Sequence, residues 1–347
     1  MLRLIAMFYV VILHSLGEGG VLGGDGLNRA LSYGMETLAY CAVDCFALIS
    51  GYVAFRQDRE ARYRFSGYIN LYLQVVFYIL LITSLYWAIG SDCVERSMFL
   101  HAFRPVYYVE YWYFTAYTGL FFLMPVINAG VQKADRKLAR KFTIVMFAFI
   151  IWVTVCYLRS ADLFHVGDGY SMVWLVILYT FGALLKKSEL LSAIPLLPAW
   201  LINLALIAVT AYRASHGQIM LMNYVSFTVV FNAFCHIALF SRLKLSDWLE
   251  KIVKFCAPGA FAVYLLNTHP VFMREFMEGR FHHLQSGSPV ILFLTILAFS
   301  LFFVICSVLI DAVRQRLFRA IGIPKLTSWA DQKLNAALDH ILSAIGA

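Results

Sequence analysis

The sequence predicts an all-α protein, a polytopic membrane helix bundle with about ten transmembrane helices and both termini in the cytoplasm. Composition is the first observation behind this: 61% of the 347 residues are hydrophobic and only 14% are charged. The mean hydropathy is +0.74, and the hydrophobic share exceeds the roughly 45–50% of soluble domains. Charged and turn-rich interruptions separate the apolar segments 2–16, 35–55, 67–90, 112–128, 142–158, 172–185, 199–212, 221–241, 259–277 and 289–312.

Several of these segments are shorter than the roughly 20 residues of a straight span. Tilt, irregular backbone lined by protein, or misplaced boundaries would each explain this. The first segment has no basic run before it and no small-residue cleavage signal after it, so we expect it to be retained rather than removed as a signal peptide. Its start is abrupt, with only two residues of the chain before Arg3, so a further upstream stretch remains an open alternative.

The basic residues are the second observation, because they set the orientation. With a cytoplasmic N-terminus, 21 of the 28 Lys and Arg residues lie on the inner side, as the positive-inside rule requires. The same bias accounts for the net charge of +8. We therefore expect a multi-pass protein of the cell membrane whose basic surface meets anionic lipids, and no nucleic-acid partner.

The chain divides into a membrane domain over residues 1–320 and a cytoplasmic amphipathic helical tail over residues 321–347. In the tail, Ser328 and Asp331 resemble a capping box. One apolar stripe follows, formed by Leu334, Leu338, Ile341, Leu342 and Ile345. This pattern favours a helix on the inner leaflet, with packing beneath the bundle as the alternative.

Arg3 and His14 are the most informative pair, since they stand eleven residues apart in the first segment. Eleven helical positions are three turns plus about 20°, so both side chains leave one face about 16.5 Å apart. Ionisable groups inside a membrane usually face a cavity, a partner or a pathway. If the helix continues to Glu18, its carboxylate could orient the His14 imidazole, making His14, Glu18 and Asp44 the catalytic candidates.

Asp44 lies inside the second segment, in VDCFALISGYVAF. Its carboxylate could balance Arg3 or His14, or serve structure only. In the same stretch, Ser50 and Gly51 favour close helix packing, with a site role for Ser50 as the alternative.

The loop after this segment, FRQDREARYRF, contains Arg56, Arg59, Arg62 and Arg64. Arginine presents a planar charged fork that suits phosphate oxygens, so the loop is a candidate site for an anionic, nucleotide-like donor. Arg62 and Arg64 adjoin the third segment and are the favoured binders in the loop. Arg3, at the inner mouth of the same groove, is expected to bind the anionic donor as well. Plain positive-inside bias is the alternative.

Five motifs in consistent order carry a family resemblance. They are R-x10-H in the first segment, VDCFALISGY in the second, the RYR loop, the WYF of EYWYFTAYTGLFFLMPVIN, and AVYLLNTHP in the ninth. Over residues 1 to about 315 the chain resembles the acyltransferase-3 family of integral-membrane acyltransferases. The resemblance implies an O-acetyltransferase-like enzyme that moves an acyl group, often acetyl, from cytoplasmic acyl-CoA to a hydroxyl at the outer face, commonly on a glycan. Arg3 and His14 would then be its core pair.

The ninth segment departs from the family pattern. Relatives often read Y-L-x-H-x-P, whereas this chain has Tyr264-Leu-Leu-Asn267-Thr-His269-Pro, which places asparagine at the usual histidine. The role of His269 is therefore left open. We expect His14 to take the acceptor proton, with Tyr264, Asn267 or Ser50 stabilising the oxyanion, by direct transfer or through an acyl-histidine.

Other residues receive plainer interpretations. Trp112, Tyr113 and Tyr117 are typical of an interfacial belt, with glycan stacking as the alternative. His236 is assigned no role, and no Cys or His spacing predicts a metal site. The competing function is a transporter or flippase for a lipid-linked or small polar substrate, which predicts two related halves with broken helices; no such symmetry is visible in the sequence.

Overall fold

A computed structural model describes residues 1–159 and 162–344, apart from the side chain of Leu342. The all-α prediction is confirmed, because these residues form helices and turns and contain no strand. The helices are α1 (Leu2–Leu16), α2 (Gly26–Ala39), α3 (Ala42–Ala54), α4 (Phe65–Ala88), α5 (Arg96–His101), α6 (Trp112–Lys133), α7 (Arg136–Leu158), α8 (Met172–Ser188), α9 (Leu190–Ala193), α10 (Leu196–Ser215), α11 (Phe227–Phe240), α12 (Asp247–Cys256), α13 (Ala260–Asn267), α14 (Pro270–Phe272), α15 (Pro289–Ala320) and α16 (Ile323–Ala344).

Six candidate spans in the described part of the chain are long and apolar enough to cross a membrane: α2 with α3, α4, α6, α7, α10 and α15. The apolar helices α1 and α11 are shorter. Backbone breaks explain part of the difference from the predicted ten. In the ninth segment α13 ends at Asn267, and Pro270, which has no N–H to donate, begins a new short helix.

The span formed by α2 and α3 begins earlier than the hydropathy pattern predicts. Residues 35–55 were expected as one apolar segment, but α2 already starts at Gly26 and a break at Tyr40 and Cys41 separates it from α3. The buried positions of α2 include Asn28, Ser32 and Glu36. A helix that buries polar side chains is invisible to a search for apolar runs, which is the reason for the error.

Two glycines bring α3 and α8 into backbone contact. A Cβ added at Gly51 would collide with the carbonyl oxygen of Tyr179, and one added at Gly182 would collide with that of Leu48. Small residues allow membrane helices to approach this closely. The close packing that Gly51 predicts is therefore present, and it fixes α3 beside α8.

A buried polar network joins α4 to α15. The carboxylate of Asp311 accepts hydrogen bonds from Gln74 Nε2 at 3.1 Å, from the Tyr78 hydroxyl at 3.0 Å and from Arg314 Nε at 2.7 Å. Asp311 is fully buried and Arg314 is 5% exposed. A buried charge is tolerated only when it is paired and hydrogen-bonded in this way.

The tail helix α16 packs against α4. Asp331 Oδ1 accepts from the Ser66 backbone N–H at 3.0 Å, and Asn335 Nδ2 donates to the Tyr63 carbonyl at 3.5 Å. The predicted capping box is wrong, because α16 begins at Ile323 and Ser328 lies inside it. Asp331 instead binds a free N–H in the first turn of α4.

The apolar stripe of the tail remains largely uncovered. Leu334, Leu338 and Ile341 are exposed, while Ile345 and the side chain of Leu342 lie outside the described residues. Packing against the bundle is thus present on one side of α16. Contact of the other side with the inner leaflet stays a prediction.

Candidate active site

His14 opens into a small cavity of about 80 Å³ at the centre of the bundle. The helices α1, α3, α6 and α13 all contribute to its lining, which includes Phe46, Trp112, Tyr113, Tyr264 and Thr268. Most of these side chains are aromatic, so the imidazole is surrounded by apolar surface. We call this space the His14 cavity.

The imidazole is oriented by an asparagine. His14 Nδ1 is hydrogen-bonded to the side-chain oxygen of Asn267, 253 residues away in sequence. An amide oxygen can only accept, so Nδ1 carries the proton and Nε2 keeps its lone pair. His14 is thereby prepared to take a proton at Nε2.

Glu18 does not have the orienting position that its spacing suggested. Helix α1 ends at Leu16, Glu18 is exposed in the following turn, and no hydrogen bond joins it to His14 within the described residues. The helix stops before the residue four positions after His14 can point back at the ring. Asn267 takes that place.

Two hydrogen-bond donors adjoin the reactive ring. Asn267 Nδ2 is buried and has no partner in the described structure, which is costly unless a ligand satisfies it. The Tyr264 hydroxyl accepts from the Tyr113 backbone N–H at 3.4 Å, and its own proton remains available. Ser50 does not have the alternative site role, since its hydroxyl donates to the Phe46 carbonyl at 2.7 Å and it does not line the cavity.

A second cavity, of about 210 Å³, contains the arginine loop. Arg56, Arg59, Arg62 and Arg64 all line it, beside an aromatic wall that includes Tyr63, Tyr68, Tyr117 and Phe121. The Tyr68 and Phe121 rings are stacked, with centroids 4.6 Å apart. We call this space the arginine cavity; it combines fixed positive charge with flat apolar surface.

The arginine loop is tied to α6 through its backbone. Gln132 Nε2 donates to the carbonyls of Arg56 and Arg59, each at 2.7 Å, and the Tyr63 hydroxyl donates to the Phe122 carbonyl at 3.0 Å. The arginines are thus presented by a loop that is already held. Sequence analysis missed Gln132, because no local pattern links it to a loop more than 70 residues earlier.

Arg3 lines neither of the two cavities. Its guanidinium carbon is 6.0 Å from the centroid of the Phe46 ring, which lines the His14 cavity. The Phe46 ring in turn packs against Tyr113, with centroids 5.9 Å apart, and Tyr117 follows Tyr113 by one helical turn on α6. Since Tyr113 belongs to the His14 cavity and Tyr117 to the arginine cavity, the two cavities meet along this face of α6, and Arg3 reaches the junction through Phe46.

Asp44 has a different partner from those considered. Its Oδ1 accepts from the Trp174 indole N–H at 3.1 Å, while its fully buried Oδ2 has no partner in the described structure. Neither Arg3 nor His14 forms an ion pair or a hydrogen bond with it among the described residues. The carboxylate links α3 to α8 instead.

The aromatic residues at the start of α6 face the protein interior. Tyr113 is buried, and the Trp112 ring lies 4.6 Å from that of Tyr170. Both line the His14 cavity, and Tyr117 lines the arginine cavity. An interfacial belt is therefore not the arrangement found for them.

Two further histidines are buried in structural contacts. His269 Nδ1 accepts from the Val271 N–H at 3.3 Å, capping α14, and it does not line the His14 cavity. His236 lies with Cys41 and Cys45, their ligand atoms all within 4.8 Å of one another. Both ring nitrogens of His236 are already engaged, Nδ1 with the Asn232 carbonyl and Nε2 with the Tyr9 hydroxyl.

Comparison with known proteins identifies the family. No curated protein and no solved structure matches the chain. A family model described as an acyltransferase domain matches residues 1–311, which include α1, the arginine loop and α13. The chain therefore belongs to the acyltransferase-3 family and is a membrane acyltransferase.

Proposed function

We propose that this protein transfers an acyl group, in the first instance acetyl, from acyl-CoA in the arginine cavity to a hydroxyl of an acceptor at His14. The acceptor we favour is a cell-surface glycan at the outer face. One observation carries the proposal: a single face of α6 places Tyr113 in the His14 cavity and Tyr117 in the arginine cavity, with Arg3 at the junction.

The arginine cavity suits the nucleotide end of acyl-CoA. Coenzyme A has a diphosphate and a ribose phosphate, and arginine forks bind such oxygens in pairs. The stacked rings of Tyr68 and Phe121 offer a flat surface for adenine. The cavity accommodates only part of so long a donor, so the pantetheine arm would extend past Arg3 towards His14.

The chemistry follows from the atoms around His14. Nε2 takes the acceptor's hydroxyl proton while the hydroxyl oxygen attacks the thioester carbonyl carbon. The new C–O bond forms, the C–S bond breaks, and the coenzyme A sulfur leaves and recovers the proton from His14. Asn267 Nδ2 and the Tyr264 hydroxyl would donate to the oxygen that becomes negative; one such donor is typically worth about 10²–10³ in rate.

The orientation we propose keeps the arginine loop and both termini in the cytoplasm. The excess of Lys and Arg on that side supports it. Donor and acceptor would then approach His14 from opposite faces of the membrane. This arrangement explains why a hydrolysable thioester need not leave the cytoplasm.

Radiolabelled acetyl-CoA tests the proposal with the purified protein in proteoliposomes. We expect wild type and His14→Ala to bind the donor equally in equilibrium dialysis, while only wild type transfers label to an added glycan. His283→Ala, which changes an exposed histidine outside both cavities, is the control and should transfer normally. Failure of wild type to bind the donor, or transfer by His14→Ala at the wild-type rate, would overturn it.

A further inference from the structure

A third and larger cavity, of about 540 Å³, lies next to the His14 cavity. Tyr170 lines both, so the two spaces meet at that ring. Trp112, the first residue of α6, also lines the His14 cavity, whereas the arginine cavity follows α6 as far as Gln132. The large cavity therefore lies near the N-terminal end of α6, and the arginine cavity extends to its C-terminal end.

Four aromatic rings form the boundary between the His14 cavity and the large cavity. Tyr224 lies 4.9 Å from Tyr40 and 5.1 Å from Tyr170, and Trp112 lies 4.6 Å from Tyr170, measured between ring centroids. We call these four rings the aromatic box. Flat apolar faces of this kind bind the faces of sugar rings and attract cations.

Beside the box, two buried oxygen atoms have no hydrogen-bond partner in the described structure. One is Oε2 of Glu36, a residue only 6% exposed, and the other is Oδ1 of Asn223, which lines the large cavity. Glu36 precedes Tyr40 by one helical turn, so the two share a face of α2. Asn223 Oδ1 is an acceptor and calls for an O–H or N–H donor from a ligand, and the Glu36 carboxyl oxygen also calls for a polar partner.

The charge around the box is negative. Asp162 and Asp168 line the large cavity, and none of its described lining residues is basic. Burial is the main cause that raises the pKa of Tyr170, and the nearby carboxylate of Asp168 acts in the same direction. The box thus adjoins an acidic surface, in contrast to the arginine cavity.

We propose that the aromatic box with Glu36 and Asn223 is the acceptor subsite, and that it selects a sugar ring with hydroxyl or amino donors and no anionic group. The inference rests on the proposed function only in that a hydroxyl of the bound ring would reach His14. The ring stacks on the box, and its polar groups satisfy Glu36 Oε2 and Asn223 Oδ1. A carboxylate on the sugar would meet like charge, and opposed like charges at an interface cost several kcal/mol. The two cavities would therefore sort an anionic donor from a neutral or cationic acceptor.

Calorimetric titration of the detergent-solubilised protein with three sugars tests this: methyl glucoside, glucosamine and glucuronate. We expect the first two to bind wild type at least about tenfold more tightly than glucuronate. Asp168→Asn keeps the shape of the side chain and removes a charge from the lining of the large cavity, so it should reduce the difference in affinity between glucuronate and the other two sugars. Tyr40→Leu removes a stacking face and should weaken the two favoured sugars without restoring glucuronate.

The control is Glu250→Gln, which changes an exposed carboxylate on α12 and should leave all three affinities unchanged. Coenzyme A titration of every variant is a separate measurement. Coenzyme A binding at the wild-type level shows that a variant is folded, and coenzyme A binding by wild type tests the donor proposal. Sugar selectivity without coenzyme A binding would contradict the proposed function and support the subsite. Equal or tighter binding of glucuronate by wild type, no saturable binding of any sugar, or an unchanged difference in affinity in Asp168→Asn would each overturn the acceptor subsite.

Discussion

His14 and Asn267 are hydrogen-bonded across 253 residues of sequence, which makes the broken helix α13 the orienting partner of α1. Asn267 is uncharged, and its hydrogen bond fixes the tautomer of the proposed base. In acyl transfer the imidazole must gain a proton and then lose it. A neutral partner orients the ring without making it permanently cationic.

We expect Asn267→Ala to lower turnover about 10²–10⁴-fold, the range for a general base that is lost or misaligned. Donor affinity should hardly change, because Asn267 does not line the arginine cavity. Glu18→Gln is the matched comparison and should turn over normally, since Glu18 makes no hydrogen bond to His14. The measurement is the turnover number of each variant at saturating donor. A large loss in Glu18→Gln with normal turnover in Asn267→Ala would make Glu18 the orienting residue instead.

Gln132→Ala should weaken coenzyme A binding although it removes no charge. The side chain holds two loop carbonyls, and a typical hydrogen bond contributes about 0.5–1.5 kcal/mol, so the two together predict a loss of about 5- to 150-fold in affinity. Turnover at saturating donor should be preserved. As a control, Gln285→Ala breaks a bond to the Gly20 carbonyl away from this loop and should leave donor affinity intact. Equal donor affinity in both variants would show that the loop needs no anchor.

Substitutions of Arg3 and Arg62 should change different constants, turnover in one case and donor affinity in the other. Arg62→Ala should lower donor affinity and reduce the salt dependence of donor binding, because it removes a charge from the arginine cavity. Arg3→Lys should lower turnover more than donor affinity, since Arg3 lies at the junction, over Phe46. Lys137→Ala, an exposed cation in the first turn of α7, is the control. A dominant effect of Arg3→Lys on donor affinity would instead assign Arg3 to the donor phosphates.

Topology can be tested at two exposed positions. Lys137→Cys should react with an impermeant thiol reagent only in opened cells, and Ser286→Cys should react in intact cells, because the basic residues favour a cytoplasmic Lys137. The background replaces the partly exposed Cys93, Cys256 and Cys306 with serine. Labelling of both positions from outside would contradict the proposed orientation.

Asp331→Ala should loosen the tail helix. Losing the side-chain acceptor of a free helix N–H typically costs about 0.5–2 kcal/mol, and Ser66 follows Arg64 by two residues. We expect a lower unfolding temperature and a modest rise in the Kd for coenzyme A. Asp339→Ala removes an exposed carboxylate further along α16 and serves as the control. Unchanged stability of Asp331→Ala would mean that the tail is held by other contacts.

Local patterns accounted for what depends on local sequence. The bounds of α1 and the grouping of the four arginines follow from hydropathy and from spacing within nine residues, and both are present. Asn267 came into view only as a departure from a family motif. Its bond to His14, like that of Gln132 to the arginine loop, joins side chains far apart in the chain, which no periodicity encodes. Glu36 was missed because buried polar residues hid the start of α2.

The backbone contact between α3 and α8 at Gly51 and Gly182 has a mechanical consequence. Two helices whose main chains already touch cannot slide or separate without breaking that contact. Phe46 and the Asp44–Trp174 bond are then a fixed wall of the reaction chamber. The wall that α13 adds is built differently, because α13 stops at Asn267 and the chain restarts at Pro270, so the residue that orients the base lies at a break in the backbone.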